Sequence, residues 1–244
     1  MEFSEIDATA ITRRLDSVSD EKEVKNIIED FCGCLSLDWY IFAVSQIASL
    51  NSPTHQVITN ALHWMTEYSE KAYQKSDPVV KYILANQSAV TWNSFDNLDG
   101  YSDPEQREVI ERADEMGLKA GFSIPCNSFA QFAVLSFADS NRSSYEKFDS
   151  IIPYASVFAT RLLEASQRIE SAAAGKGVNL TARELECLMW GSEGKTAWEI
   201  SKILGVSERT VVFHFTNAAT KLNASNRQHA ISKALLLGLV KPKF

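Results

Sequence analysis

A chain of 244 residues with 45% hydrophobic side chains, six prolines and ten glycines has apolar mass for one large or two modest cores, which excludes a disordered polypeptide. Its net charge of −7 conceals an asymmetry: residues 176–244 hold ten Lys/Arg against five Asp/Glu, and residues 1–175 hold fourteen against twenty-six. A basic module on an acidic body is the electrostatic footprint of a phosphate binder.

The N-terminal stretch MEFSEIDATAITRRLD lacks the basic start and apolar run of an export signal. No segment approaches the roughly 18 uncharged apolar residues of a membrane span, so no membrane partner is expected. Cysteines at 32, 34, 126 and 187 make no disulfide framework, and a reducing cytoplasm is the expected compartment. His55, His63, His214 and His229 form no ligand-spaced pair, and the glycine-rich phosphate loops and the GxSxG elbow are missing. No metal, no cofactor and no enzyme activity are therefore expected.

Along the chain, residues 21–36 place Val24, Ile27, Ile28, Phe31 and Leu35 at helical spacing. WYIFAV at 39–44 is aromatic and β-branched and reads as a buried strand. Helical patterns return at 60–74, 78–86 and 104–116, and strands follow at 121–126 and 131–138, joined by the short SFA connection. This loose alternation predicts an α+β domain with an antiparallel sheet. Phe148, Ile151, Ile152, Ala155, Phe158, Ala159, Leu162 and Ala165 then form one apolar stripe over 143–172, which packs in the core or against a second copy of the chain. Pro153 must kink that helix or sit in its first turn. Residues 173–180 lose the periodicity and read as a linker between domains at 1–172 and 181–244.

The last segment announces its helix starts. Thr181 with Glu184, Thr196 with Glu199 and Ser225 with Gln228 fit the capping box, Ser207 is a simple N-cap, and Gly205 and Gly238 fall where helices end. Four helices with a three-residue turn between the second and third make an all-α helix-turn-helix domain. Within 207–222, Val211, Phe215, Ala218 and Leu222 form the core face. Arg209, Val212, Phe213, Thr216 and Thr220 point away from it. Val212 and Thr216 suit thymine methyl groups and one hydroxyl hydrogen bond, while Lys195, Arg209, Lys221 and Arg227 are expected at phosphates.

LTARELECL at 180–188, GKTAWEIS at 194–201 and SERTVVFHFTNAATKL at 207–222 resemble the DNA-binding domain of LuxR-type quorum-sensing regulators. Upstream, WMTEY at 64–68, SDPVV at 76–80, TWNSF at 91–95 and GLKAGFSIP at 117–125 resemble, in order and spacing, the autoinducer-binding domain of the same family. The resemblance spans roughly residues 20–240 and implies an α/β/α sandwich followed by the four-helix domain. It implies a receptor for an N-acyl-homoserine lactone that binds a two-fold-symmetric DNA site as a homodimer, with RNA polymerase as a further partner. The alternative is a ligand-independent or anti-activating member.

Carried over by motif, Trp64 donates its indole N–H to the lactone carbonyl, Tyr68 its hydroxyl to the acyl carbonyl, and Asp77 accepts the amide N–H. Trp92 packs on the lactone ring, and Ser136 matches a position that in some members bonds the acyl amide region. Tyr40, Phe42, Val44, Ile124 and Leu135 are the strand residues expected along the acyl chain, and residues 46–60 bear on its length. Ala61-Leu62-His63 replaces the Tyr-Pro entry found in many members. Each site residue also has a plainer reading: Trp64 and Trp92 as core aromatics, Asp77 before Pro78 as a helix N-cap like Asp103 before Pro104, and Gly117 and Gly121 as turn and strand glycines.

Overall fold

Strands that are apolar on both sides need cover on both faces, and helices supply it here. The computed structural model describes residues 4–46, 54–101, 103–128, 131–173 and 178–240. Five strands, β1 (Trp39–Gln46), β2 (Thr54–Thr59), β3 (Val90–Thr91), β4 (Ala120–Asn127) and β5 (Gln131–Asp139), form one sheet in the order β2-β1-β5-β4-β3. The β3/β4 and β4/β5 pairs are antiparallel, and Ser123 lies opposite both Val90 and Ser136. One face packs against α1 (Glu5–Arg14), α2 (Glu21–Cys34) and α6 (Tyr145–Ala173). The other is covered by α3 (Leu62–Glu70), α4 (Pro78–Asn86) and α5 (Pro104–Glu115). The expected α/β/α sandwich is therefore present, with a separate apolar core on each side of the sheet.

In α2, the Asp20 carboxylate caps the helix by accepting from Glu23 N–H, and the predicted stripe of Val24, Ile27, Ile28 and Phe31 is buried. Phe31 stacks on Phe158 of α6 with ring centroids 3.9 Å apart. The α6 stripe is spent on this core: Phe148, Ile151, Ala155, Phe158, Ala159, Leu162 and Ala165 are all fully buried. Pairing with a second copy through that stripe is thus corrected; only the outward side of α6, where Val157 is 58% exposed, remains free for it. Pro153 sits inside α6, beyond its first turn, on the exposed side.

Three elements carry too little signal to be read beforehand. Helix α1 is mostly polar and buries only Ala8, β3 has two residues, and β2 buries Ile58 while Val57 is exposed. The helical pattern at 60–74 is split, because Ala72 takes a left-handed conformation (φ 54°) that ends α3 and begins a 3-10 turn at Tyr73–Lys75. Residues 47–53, within the stretch expected to bear on acyl length, lie outside the described residues, as do 129–130 of the SFA connection and 174–177 of the expected linker.

The chain divides into two compact units, the second gathering the helices after α6. These are α7 (Ala182–Ser192), α8 (Ala197–Leu204), α9 (Glu208–Lys221) and α10 (Arg227–Leu236). The capping boxes at Thr181/Glu184 and Thr196/Glu199 form, Ser207 caps α9, and Gly205 ends α8 at φ 67°. The third start differs by one residue: Asn226 caps α10 by accepting from His229 N–H, and Ser225 N–H instead donates to His229 Nδ1. Cys187, Leu188, Ile200, Val211, Phe215, Ala218, Leu222, Ala230 and Ala234 make the core of this unit.

Candidate functional site

The left-handed residue Ala72 is where the site is made. A non-glycine residue there costs about 1–2 kcal/mol, and the bend it produces turns Tyr73 back over Trp64, with rings stacked at 5.8 Å. It also brings Asp77, the first residue before α4, to Tyr68 on α3. The Tyr68 hydroxyl donates to Asp77 Oδ2 at 2.8 Å, while Asp77 Oδ1 accepts from Val79 N–H at 2.8 Å. Asp77 is thus both an N-cap with Pro78 at N1 and the partner of Tyr68; the plain reading and the functional one coexist in one carboxylate. Burial pushes its carboxyl above the usual range, opposed by the hydrogen bonds from Tyr68, Val79 and Val80, and burial likewise raises Tyr68.

Trp64, one turn before Tyr68, is 6% exposed and meets its ring edge-on at 5.5 Å. Among the described residues its indole N–H has no protein acceptor. Among the described residues the indole N–H of Trp39 is buried without a partner, on the same side of the sheet.

A second polar cluster lies on the strands. Trp92 Nε1 donates to Ser123 Oγ at 2.9 Å, and Ser123 Oγ is 2.7 Å from Ser136 Oγ, all three residues being buried. An indole N–H can only donate, so Ser123 accepts from Trp92, while the Ser123–Ser136 bond can run in either direction. Ser123 stands inside the GFSIP stretch, where a serine in an otherwise apolar strand is the sequence signal for a buried polar partner. Gly121 makes the cluster possible, since a Cβ there would lie 2.5–2.6 Å from three Trp92 ring atoms.

Trp64, Tyr68, Asp77, Trp92 and Ser136 therefore lie on the sheet face covered by α3–α5. Tyr40, Phe42, Val44, Ile124 and Leu135 do not join them. They are buried on the opposite face, against α1, α2 and α6, and Tyr40 donates its hydroxyl to Glu29. Successive strand residues point to opposite faces, and Ile41, Phe132, Val134 and Ala138 of β1 and β5 pack on the face covered by α3–α5.

Helix α3 is held to α5 by Arg112, whose Nε and Nη2 donate to the two oxygens of Glu67 at 2.8 and 2.9 Å. The guanidinium pulls the Glu67 carboxyl down to about 2 from 4.5. A depressed carboxyl stabilises the fold above its unfolded value and loses that contribution as pH falls. Between pH 4.5 and about 2 the E67Q variant should accordingly lose stability less steeply than the parent, read by thermal melting at stepped pH. Equal slopes would remove the pair from the account.

In the helical unit, Arg209, Val212, Phe213, Thr216 and Thr220 of α9 are exposed together and Lys195 is half-buried. Two expected phosphate contacts are otherwise engaged. Lys221 donates to the buried carboxylate of Glu184 at 2.7 Å, tying α9 to α7. Arg227 donates to the Lys195 carbonyl at 2.6 Å and stacks over Phe215 at 4.2 Å. A sequence shows the charge of such residues but not a buried acceptor that claims it. Lys221→Met should destabilise this unit by about 1–3 kcal/mol, because Glu184 loses a charged donor. It should leave the salt dependence of DNA binding unchanged; a lowered slope of affinity against salt would return Lys221 to the phosphates.

The sequence matches two protein families: the autoinducer binding domain over residues 20–158, and bacterial regulatory proteins of the luxR family over residues 178–234. It is 36% identical over 236 residues to the transcriptional activator protein LuxR of Aliivibrio fischeri, covering 94% of this chain and 93% of that one. It is 34% identical to the transcriptional activator protein VanR of Vibrio anguillarum, covering 92% and 94%. Among solved structures, Escherichia coli SdiA superposes with a TM-score of 0.77 at 27% identity, covering 96% of this chain and 98% of that one. SdiA in complex with octanoyl-rac-glycerol gives 0.76 at 25% identity, covering both chains fully.

Proposed function

We propose, for a chain that belongs to the LuxR family of transcriptional regulators, that it is an N-acyl-homoserine lactone receptor controlling its own DNA binding as a homodimer. The chain is a regulator and not an enzyme. The observation that carries the ligand class is the set of Trp64 N–H, Tyr68 O–H and the Asp77 carboxylate converging on an apolar sheet face. An acyl-homoserine lactone offers two carbonyl acceptors and one amide donor. Trp64 donates to the lactone carbonyl, Tyr68 to the acyl carbonyl, and Asp77 accepts from the amide. Trp92 packs against the ring, and Ser136, joined to Trp92 through Ser123, meets the acyl amide region.

The Tyr68–Asp77 bond is exchanged in this reading rather than lost. Tyr68 turns its proton to the ligand and the ligand amide replaces it at Asp77. Ligand at a hundred times its dissociation constant adds about 2.7 kcal/mol of stability. The dimer contact is assigned to the outward side of α6, and the two copies of α9 meet a DNA site of matching two-fold symmetry. Arg209 and Lys195 contact phosphates. The domain boundary is placed in 173–180, the compartment is the cytoplasm, and RNA polymerase is the protein partner.

A gel shift tests this reading. Lactone should be required for binding to a symmetric duplex, and a duplex with one half-site scrambled should bind at least tenfold more weakly. A ligand-independent regulator is the second reading, favoured by the fact that Tyr68 and Asp77 already satisfy each other. Equal shifts with and without lactone would establish it.

A further inference from the structure

The exposed face of α9 has an unusual chemistry for a helix that reads bases. Val212 and Phe213 are 51% and 59% exposed. The two threonines that follow on this face spend their protons internally: Thr216 Oγ1 donates to the Val212 carbonyl at 3.0 Å and Thr220 Oγ1 to the Thr216 carbonyl at 3.1 Å. From Val212 onward the outward face therefore presents methyl groups, an aromatic ring and hydroxyl oxygens that can accept but not donate. Asn217, half-buried beside it, brings a side-chain amide that has no partner among the described residues.

In the major groove a guanine edge offers only acceptors and must be met by donors, usually an arginine fork. The one guanidinium on this face, Arg209, stands in the first turn of α9, where Glu208 begins the helix. Thymine offers a methyl group, and adenine an amino donor beside an acceptor, which an asparagine amide matches. The face is complementary to A·T pairs and poor in what guanine needs.

We propose that α9 reads thymine 5-methyl groups through Val212 and Phe213, so that the central base specificity of each half-site is for A·T pairs. This rests on the DNA-binding role proposed above, with Thr216 oxygen accepting from an adenine amino group. Apolar contact of this kind is lost when the methyl is removed while every hydrogen bond of the base pair is kept.

The full chain, supplied with a mixture of acyl-homoserine lactones of short, medium and long chains, would be used to select duplexes from a random pool. Each thymidine of the selected site would then be replaced in turn by deoxyuridine. At one or more positions per half-site the affinity should fall about fourfold, the equivalent of one buried methyl group. Val212→Ala and Phe213→Ala, both at exposed positions, should abolish the difference between thymine and uracil at those positions. Uracil binding as well as thymine everywhere, or a difference that persists in both variants, would overturn the proposal. Failure to enrich any sequence would instead contradict the DNA-binding role itself.

Discussion

Asp77→Ala should lose the lactone response while Asp103→Ala keeps it. The two residues are matched: each precedes a proline at the start of a helix, Asp77 capping α4 and Asp103 forming a capping box with Gln106 of α5. Loss of an N-cap costs about 0.5–2 kcal/mol of stability wherever it occurs, so both variants should melt lower. Of the two, only Asp77 accepts from Tyr68, whose ring packs against the apolar core of α3–α5. A hydrogen bond to an ionised carboxylate contributes about 1.5–3 kcal/mol, so the lactone concentration for half-response should rise roughly tenfold to hundredfold in Asp77→Ala. Equal responses in the two variants would reduce Asp77 to a helix cap.

Gly121→Ala should be nearly as damaging, for a different reason. Gly121 is not among the glycines with positive φ, so the backbone does not demand glycine there. The demand comes from Trp92, whose ring would be 2.5–2.6 Å from an added Cβ. That ring is buried and anchored by its N–H to Ser123, so it cannot retreat without breaking the bond. Overpacking of this kind costs about 1–3 kcal/mol, and the displaced indole would no longer pack on a lactone ring. Gly117 makes the control: its φ of 95° needs glycine, but an added Cβ would touch only Trp39 at 3.9 Å. Gly117→Ala should cost stability and spare lactone retention, whereas Gly121→Ala should cost both. Adding Trp92→Phe to Gly121→Ala should recover part of the melting temperature, and no recovery would place the strain elsewhere.

The two glycines show how far residue types alone could go. Both sit in motifs that are readable, yet whether glycine serves a dihedral or a neighbouring ring depends on a contact 29 residues away in sequence. The same limit applies to β1. WYIFAV announces a strand because it is aromatic and β-branched, but with both sheet faces buried its apolar run carries no marker of which parity faces the site. Tyr40 and Phe42 face α1, α2 and α6, away from Tyr68 and Asp77, while Trp39 and Ile41 face the side covered by α3–α5. Helices α2, α4 and α5 were legible because their stripes and caps are local. That Tyr68 and Asp77 meet depends on a bend at Ala72 that no propensity predicts, so only family spacing points to them as a set with Trp64. In the helical domain, caps and turn length are local and were readable, whereas the engagement of Lys221 by a buried Glu184 is tertiary.

Completion of the face between the sheet and α3–α5 by a single small molecule is what the lactone reading stands on. Its most direct test is mass spectrometry of the molecules released from the full chain after expression in the presence of mixed acyl-homoserine lactones. One lactone species is expected at close to one molecule per chain, absent from the Asp77→Ala protein purified in parallel. A folded chain that binds DNA and releases no lactone, or releases the same amount from Asp77→Ala, would contradict it.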